Sequence, residues 1–170
     1  MKVLFVCLGN ICRSPLAEAL FLYHLNKQGL QSYFSADSCG TNGLHDGENA
    51  DSRTRDNAKR HGIEINHISR KITEQDLADW DLIVVMDDSN YENVLKLNPN
   101  EEEVEKIVYL RDFDPEFEDD LDVPDPWFGG EEGFETVYNI IDRCILDLID
   151  TIKPDLDELF PEGAPLTADD

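Results

Sequence analysis

The sequence predicts an α/β fold, a doubly wound sheet of about four parallel strands with helices on both faces. Continuous apolar runs of β-forming residues at 2–7 and 82–86 are typical of strands buried on both faces of a parallel sheet. These runs alternate with segments of helical periodicity. The clearest helical segment runs from Phe134 to Ile152, where apolar residues recur every three or four positions.

The other elements follow in chain order. Ser14 is predicted to cap a helix that ends at Gly29, because serine accepts N–H hydrogen bonds and glycine tolerates left-handed backbone. The remaining segments are a strand at 33–39, a helix at 51–61, a helical turn at 73–78, a helix at 88–97 and a last strand at 104–110. This order predicts a flavodoxin-like sheet, in which ligands bind at the carboxyl ends of the strands.

The charge of the chain argues against several classes of partner. Its 14 basic and 38 acidic residues give a net charge of -24, which disfavours nucleic acids and anionic membranes. Residues 1–98 contribute -4 and residues 99–170 contribute -20, so the second half forms a strongly acidic surface. We expect one domain over residues 1–153 and an acidic C-terminal tail over residues 154–170. Without a recognisable targeting segment, the expected location is the cytoplasm.

The cysteines and histidines do not predict a metal site. The chain has four cysteines, and they lack the CxxC pairs of a zinc ribbon and are too few for a disulfide scaffold. Cys39 and Cys144 are therefore expected to be structural. The four histidines show no metal-ligand spacing.

The segment CLGNICRS at 7–14 joins the first strand to the first helix and predicts an anion site. Backbone N–H groups of such a loop point inward, and the helix N-terminus adds partial positive charge. Arg13 supplies two parallel donors that match two phosphoryl oxygens. The same positive field favours the thiolate of Cys7, which would then be a nucleophile for a bound phosphate.

The stretch VLFVCLGNICRSPLAEA is similar to the signature of the low-molecular-weight protein tyrosine phosphatases, and the resemblance covers residues 2–153. It implies that the protein is a monomeric enzyme that hydrolyses phosphotyrosine in proteins through a cysteinyl-phosphate intermediate, releases inorganic phosphate and needs no cofactor. Cys7 would be the nucleophile, Arg13 the phosphate clamp and Ser14 the hydroxyl that supports the thiolate. The phosphate-binding loop would comprise Leu8, Gly9, Asn10, Ile11, Cys12, Arg13 and Ser14.

The resemblance also assigns supporting residues around this loop. Asn10 would adopt a left-handed conformation held by hydrogen bonds with Ser38 and His67. Cys12 would be a backup thiol that protects Cys7 from oxidation, although it equally fits a packing role. Asp87 matches an aspartate of the family, and a helix N-cap role explains it equally well.

A second motif supplies the expected general acid. The sequence Asp-Pro-Trp-Phe-Gly at 125–129 has the form of the family's acid loop, which identifies Asp125 as the group that protonates the leaving oxygen. Trp127 and Phe128 would form a wall of the pocket for an aryl group, with Ile11 and Leu44 completing it. Leu44 stands where the family often has an aromatic residue.

Three alternative functions stay open at this stage. Arsenate reductases share the loop, but they use a close cysteine pair in the segment after the third strand, and residues 86–96 contain no cysteine. A protein-arginine phosphatase would carry threonine at the position of Ile11, whose side chain cannot hydrogen bond. A phosphate-binding module without activity would be expected to lack the thiol or the acid, and both Cys7 and Asp125 are present.

Overall fold

The computed structural model describes residues 1–153, which form an α/β fold around one sheet. Its four strands are all parallel and lie in the order β2-β1-β3-β4, which confirms the predicted fold class. The strands are β1 (Lys2–Cys7), β2 (Ser35–Gly40), β3 (Leu82–Val85) and β4 (Ile107–Tyr109). The helices are α1 (Arg13–Gln28), α2 (Ser52–Arg60), α3 (Glu74–Asp79), α4 (Asp88–Leu95), α5 (Glu101–Glu105) and α6 (Glu131–Ile152), with a 3₁₀ helix at Leu110–Phe113. The predicted acidic tail lies outside the described residues.

Alternate side chains of the central strands fill two separate cores. Val3 and Phe5 of β1 face one side, where α1 and α6 pack with residues such as Leu20 and Ile141. Leu4 and Val6 face the opposite side, together with buried residues of α3 and α4. A strand that is covered on both faces needs apolar residues at every position, which explains the uninterrupted run in β1.

The start of α1 differs from the prediction. Ser14 lies inside the helix, and the N-cap is Cys12, whose side chain makes no capping hydrogen bond. The hydroxyl of Ser14 points instead to the sulfur of Cys7, 3.0 Å away. Ser14 therefore serves the thiol rather than the helix end. Gly29 ends the helix in a left-handed conformation, as predicted.

The start of the last strand was also predicted wrongly. Val104 belongs to the short helix α5, and β4 begins only at Ile107. Asn100 and Glu103 form a reciprocal capping box that starts α5, so local capping prevails over the β propensity of the valine.

The sheet order places one crevice at the carboxyl ends of β1 and β3. In such sheets the chain winds in opposite directions from the two central strands, so the connections after them separate and leave room for a ligand. Cys7 ends β1 at this crevice, and Asp87 lies just beyond β3. Among the described residues, no helix is both long and apolar enough to cross a bilayer.

Candidate active site

The loop after β1 wraps around the sulfur of Cys7. The backbone N–H of Asn10 donates to this sulfur at 3.3 Å, and the hydroxyl of Ser14 lies 3.0 Å from it. Cys7 itself is only 3% exposed. The sulfur thus lies at the bottom of a depression, surrounded by hydrogen-bond donors that stabilise negative charge.

Asn10 holds the loop in shape. Its backbone has a left-handed φ of 55°, a conformation that asparagine tolerates better than most residues. Its amide nitrogen donates to the hydroxyls of Ser14 and Ser38, both at 2.9 Å. Its amide oxygen accepts from Nε2 of His67 at 2.7 Å and from the backbone N–H of Arg70 at 2.9 Å. Every hydrogen-bonding position of this buried side chain is therefore satisfied.

Gly40 allows the end of β2 to approach the loop. A Cβ atom at Gly40 would lie 2.8 Å from the carbonyl oxygen of Leu8 and 3.0 Å from the backbone nitrogen of Asn10. Any side chain would displace the phosphate-binding loop, so glycine is required here. Sequence analysis did not identify this residue, because the approach joins two segments that are distant in the chain.

Arg13 is fixed beneath the pocket by partners from distant segments. It is 2% exposed, and its Nη1 donates to Oδ2 of Asp87 at 2.6 Å and to the carbonyl of Val123 at 2.9 Å. Burial alone would lower the pKa of Arg13, but the neighbouring charges of Cys7 and Asp87 raise it above the usual value. Asp87 also caps α4 by accepting the N–H of Asn90 at 2.7 Å, which confirms the predicted N-cap role.

Asp125 stands across the pocket from the loop. Its Oδ2 lies 3.6 Å from Nη2 of Arg13, and its Oδ1 accepts the N–H of Trp127 at 3.0 Å. The side chain is 43% exposed, so water can reach the carboxylate. The carboxylate and the thiol of Cys7 both line the same cavity.

This cavity has a volume of about 290 Å³ and an apolar rim. Its wall includes all four residues that sequence analysis assigned to it, Ile11, Leu44, Trp127 and Phe128. Phe128 is 96% exposed and Leu44 is 78% exposed, which is unusual for large apolar side chains. An apolar rim around a buried thiol suits a flat aromatic group with a charged end.

Two residues that contact the cavity wall were not foreseen. His45 lines the cavity, with its Nδ1 2.8 Å from Glu48 and its ring 5.9 Å from that of Trp127. Arg53 donates to the carbonyl of Trp127 at 3.2 Å and lies over its ring, which orients the acid loop. No sequence motif marks either residue, because their role depends on how the acid loop folds back.

The three other cysteines are buried, and of these only Cys12 lines the cavity. Burial raises the pKa of Cys12 to about 12, so its side chain is a neutral thiol at physiological pH. Cys39 and Cys144 are fully buried in the two cores, and burial raises the pKa of both thiols. This placement agrees with a structural role for them.

Comparison with known proteins identifies the family. The family model described as low molecular weight phosphotyrosine protein phosphatase matches residues 2–158. This chain belongs to that family. The human low molecular weight phosphotyrosine protein phosphatase is 42% identical over 147 residues, which cover 84% of this chain and 90% of the human protein.

Solved structures of phosphatases share the whole fold. A crystal structure of a protein tyrosine phosphatase from Entamoeba histolytica, with Hepes in its active site, has a TM-score of 0.85 and 39% identity. It covers 93% of this chain and 97% of its own. A Drosophila arginine phosphatase has a TM-score of 0.83 and 34% identity, covering 91% of this chain and 99% of its own. Similar folds therefore serve phosphatases named for different substrate residues, tyrosine and arginine.

Proposed function

We propose that this low molecular weight phosphatase hydrolyses phosphotyrosine in proteins through a covalent phosphate on Cys7. The observation that supports this most strongly is the arrangement of three groups around one cavity: a buried thiol among N–H donors, a buried guanidinium and a partly exposed carboxylate. These groups match the nucleophile, the anion clamp and the acid that hydrolysis of a phosphate ester requires.

The first half of the proposed reaction transfers the phosphoryl group to sulfur. The thiolate of Cys7 attacks phosphorus, and the bond between phosphorus and the aryl oxygen breaks. Asp125 gives its proton to that oxygen, so the product leaves as a neutral phenol. Arg13 and the loop N–H groups bind the equatorial oxygens, where negative charge accumulates in the transition state.

The second half returns the enzyme to its starting state. Asp125, now a carboxylate, takes a proton from water as the water oxygen attacks phosphorus. The bond between phosphorus and sulfur breaks, inorganic phosphate forms, and the thiolate of Cys7 leaves with support from the hydroxyl of Ser14. Asp125 ends protonated and ready for the next substrate. None of these steps requires a metal ion or another cofactor.

The rim of the cavity is proposed to select aryl phosphates. Trp127 and Phe128 provide faces on which a phenol ring can stack, and Ile11 and Leu44 extend the apolar wall. Ile11 also distinguishes this chain from the arginine phosphatase alternative, because it offers no hydrogen bond to a phosphorylated guanidinium. The arsenate reductase alternative lacks support, since α4 carries no cysteine pair.

The proposal also covers the location, oligomeric state and partners of the enzyme. We expect residues 1–153 to form a cytoplasmic catalytic domain that works as a monomer on phosphoproteins. The charge of -24 disfavours nucleic acids and anionic membranes as partners.

Steady-state kinetics on a phosphotyrosyl peptide, a phosphoseryl peptide, phosphoarginine and arsenate test this function. We expect the highest kcat/KM for phosphotyrosine by at least about tenfold, the effect of about 1.4 kcal/mol in transition-state binding. The variant Ile11→Thr serves as a matched control, since a hydroxyl at this position should increase only the activity on phosphoarginine. A wild-type preference for phosphoarginine or for arsenate would overturn the proposal.

A further inference from the structure

The acid loop at 125–129 has few hydrogen bonds to the rest of the fold. Inside the loop, the carboxylate of Asp125 accepts the N–H of Trp127 at 3.0 Å. Within residues 1–153, the only hydrogen bond that joins this loop to another segment runs from Nη1 of Arg53 to the carbonyl of Trp127, at 3.2 Å. The position of Asp125 over the cavity therefore depends on a residue of α2.

The guanidinium of Arg53 is itself held by an ion pair and by two aromatic rings. Its Nε and Nη2 donate to the two carboxylate oxygens of Asp51, both at 3.0 Å. These hydrogen bonds lower the pKa of Asp51 below its usual value, so the carboxylate is ionised at neutral pH. The Cζ of Arg53 lies 5.2 Å from the ring centre of Trp127 and 4.8 Å from that of Phe134. Together these contacts fix the direction in which Nη1 points.

Asp51 connects the same arginine to the phosphate-binding loop. Its backbone N–H donates to the carbonyl of Ile11 at 2.7 Å. The C=O and N–H of a trans peptide point in opposite directions, so this bond turns the N–H of Cys12 away from α2. Phe134, whose ring lies against the guanidinium, packs with Ile11 and Cys12 in a small buried cluster. A backbone hydrogen bond and an apolar contact thus join Arg53 to the loop that would hold the phosphate.

The way in which α2 begins makes this connection possible. Asp51 is the N-cap of α2, and its Oδ1 accepts the N–H of Arg53 at 2.8 Å. An N-cap residue lies outside the helix, here with a φ of -51° and a ψ of 135°, so its own N–H is free to reach Ile11. One aspartate therefore starts the helix, holds the phosphate-binding loop and orients the arginine.

We propose that Arg53, together with Asp51, is a positioning residue that sets the distance between Asp125 and the phosphate-binding loop. This inference rests on the proposed function, in which Asp125 protonates the oxygen of a bound phosphate ester. A general acid must come within about 2.6–3.2 Å of that oxygen, and a misplacement of about 1 Å can slow a reaction about 100-fold. Arg53 does not line the catalytic cavity, so it acts through the acid loop rather than on the substrate.

Kinetics on two phosphate esters test the positioning role. Arg53→Met removes the donors of a side chain that is 44% exposed, so the variant should fold. On phenyl phosphate, whose leaving oxygen needs a proton, we expect kcat/KM to fall at least about tenfold. On dinitrophenyl phosphate, whose phenolate leaves without a proton, the fall should be less than about threefold. The inhibition constant of inorganic phosphate should stay within about twofold, because Arg13 and the loop N–H groups are unchanged.

Two further variants separate positioning from a general structural role. In the background of Asp125→Asn, Arg53→Met should cause little further loss on phenyl phosphate, because the acid that it positions is already absent. Arg53→Lys keeps the charge, but its single ammonium group cannot replace the planar fork that bonds Asp51 and Trp127 at once, so it should recover only part of the rate. The matched control is Arg60→Met, which removes another arginine of α2, one that pairs with Glu131 at 2.8 Å, and should behave as the wild type on both esters.

Equal losses on the two esters, a full additional loss in the background of Asp125→Asn, wild-type activity of Arg53→Lys, or weaker inhibition by phosphate would each overturn the positioning role. The same losses in the control Arg60→Met would also overturn it. A leaving-group effect in Asp125→Asn that Arg53→Met does not share overturns this inference alone. Equal losses on both esters in Asp125→Asn itself would overturn the proposed acid, and the inference with it.

Discussion

At the bottom of the cavity, the hydroxyl of Ser14 accepts a hydrogen bond from Asn10, and two acceptors lie within reach of its own hydrogen: the sulfur of Cys7 at 3.0 Å and the carbonyl oxygen of Cys39 at 3.3 Å. The sulfur is the nearer of the two acceptors, so the hydroxyl can support a thiolate on Cys7. The sequence indicated that Ser14 lies next to the thiol, but a capping role seemed equally natural. The direction of its hydrogen bonds depends on Asn10, and therefore on the left-handed turn that the loop makes.

The proposed role of Asp125 as general acid predicts that the effect of its loss depends on the leaving group. Replacing it with asparagine removes the proton donor, so kcat/KM for phosphotyrosine should fall about 100-fold or more. For dinitrophenyl phosphate, whose phenolate leaves without a proton, we expect a much smaller loss. Pre-steady-state and steady-state rates for a series of aryl phosphates would measure this difference. Equal losses on good and poor leaving groups would show that Asp125 is not the acid.

The position of Cys12 predicts a protective reaction with a defined pH dependence. After peroxide converts Cys7 to a sulfenic acid, the sulfur of Cys12 should displace hydroxide and form a disulfide that dithiothreitol reverses. Because burial raises the pKa of Cys12 to about 12, its thiolate fraction rises with pH, and bridge formation should accelerate from pH 6 to pH 9. Mass spectrometry should detect the bridge. If Cys12→Ser recovers as fully as the wild type, Cys12 only fills space.

Among the elements, those with a strong local signal were predicted well. β1 and the start of the phosphate-binding loop follow from a buried apolar run and from residues that are adjacent in the chain. β4 was predicted to start at Val104, because the sequence shows a valine among acidic residues but not that Asn100 and Glu103 cap each other. Whether Val104 joins a strand or a helix depends on the hydrogen bonds between Asn100 and Glu103, and these form only when the segment folds.

The junction of the 3₁₀ helix with α6 predicts a change in stability. The Asp114 side chain is fully buried, and Arg143 donates to it at 2.7 and 3.0 Å. Replacing Asp114 with asparagine removes the buried charge that pairs with both Arg143 and Arg111, so the free energy of unfolding should fall by about 3 kcal/mol. Urea denaturation at pH 7 measures the change. Asp147→Asn, on the exposed side of α6, is the control and should change stability little.

The pairing of Asp114 with Arg143 also predicts how the free energy of unfolding changes with pH. Burial would raise the pKa of Asp114, but the hydrogen bonds from Arg143 and Glu116 hold it below its usual value. A carboxyl whose pKa is lowered by folding stabilises the protein above its unfolded pKa, and this contribution disappears as the pH falls through the folded value. The difference between wild type and Asp114→Asn should therefore shrink below about pH 4. A difference that grows on acidification would contradict this assignment.

Across the whole molecule, contacts between distant segments were the least predictable feature. The ion pair of Arg13 with Asp87 and the cluster of Glu18, Asp37 and His67 join residues far apart in the chain. Motif spacing cannot reveal such contacts. The fold brings Glu18, Asp37 and His67 together because α1, β2 and the segment between α2 and α3 meet beside the loop after β1.

The charge of -24 predicts a salt effect on catalysis. A dianionic substrate approaches an acidic surface, and salt at 0.1 M limits the reach of that repulsion to about 10 Å. KM for a small aryl phosphate should therefore fall when moderate sodium chloride is added. Comparison with sulfate, which competes for the phosphate-binding loop, separates screening from inhibition. An increase in KM with every inert salt would contradict the prediction.

Trapping the covalent intermediate tests the central claim most directly. The enzyme is mixed with an aryl phosphate, quenched in acid within milliseconds and analysed by peptide mass spectrometry. We predict one added phosphoryl group on the peptide that contains Cys7, localised to its sulfur, and none on the same peptide of Cys7→Ser. Turnover by Cys7→Ser at the wild-type rate, or a phosphoryl group on any other residue, would contradict the account.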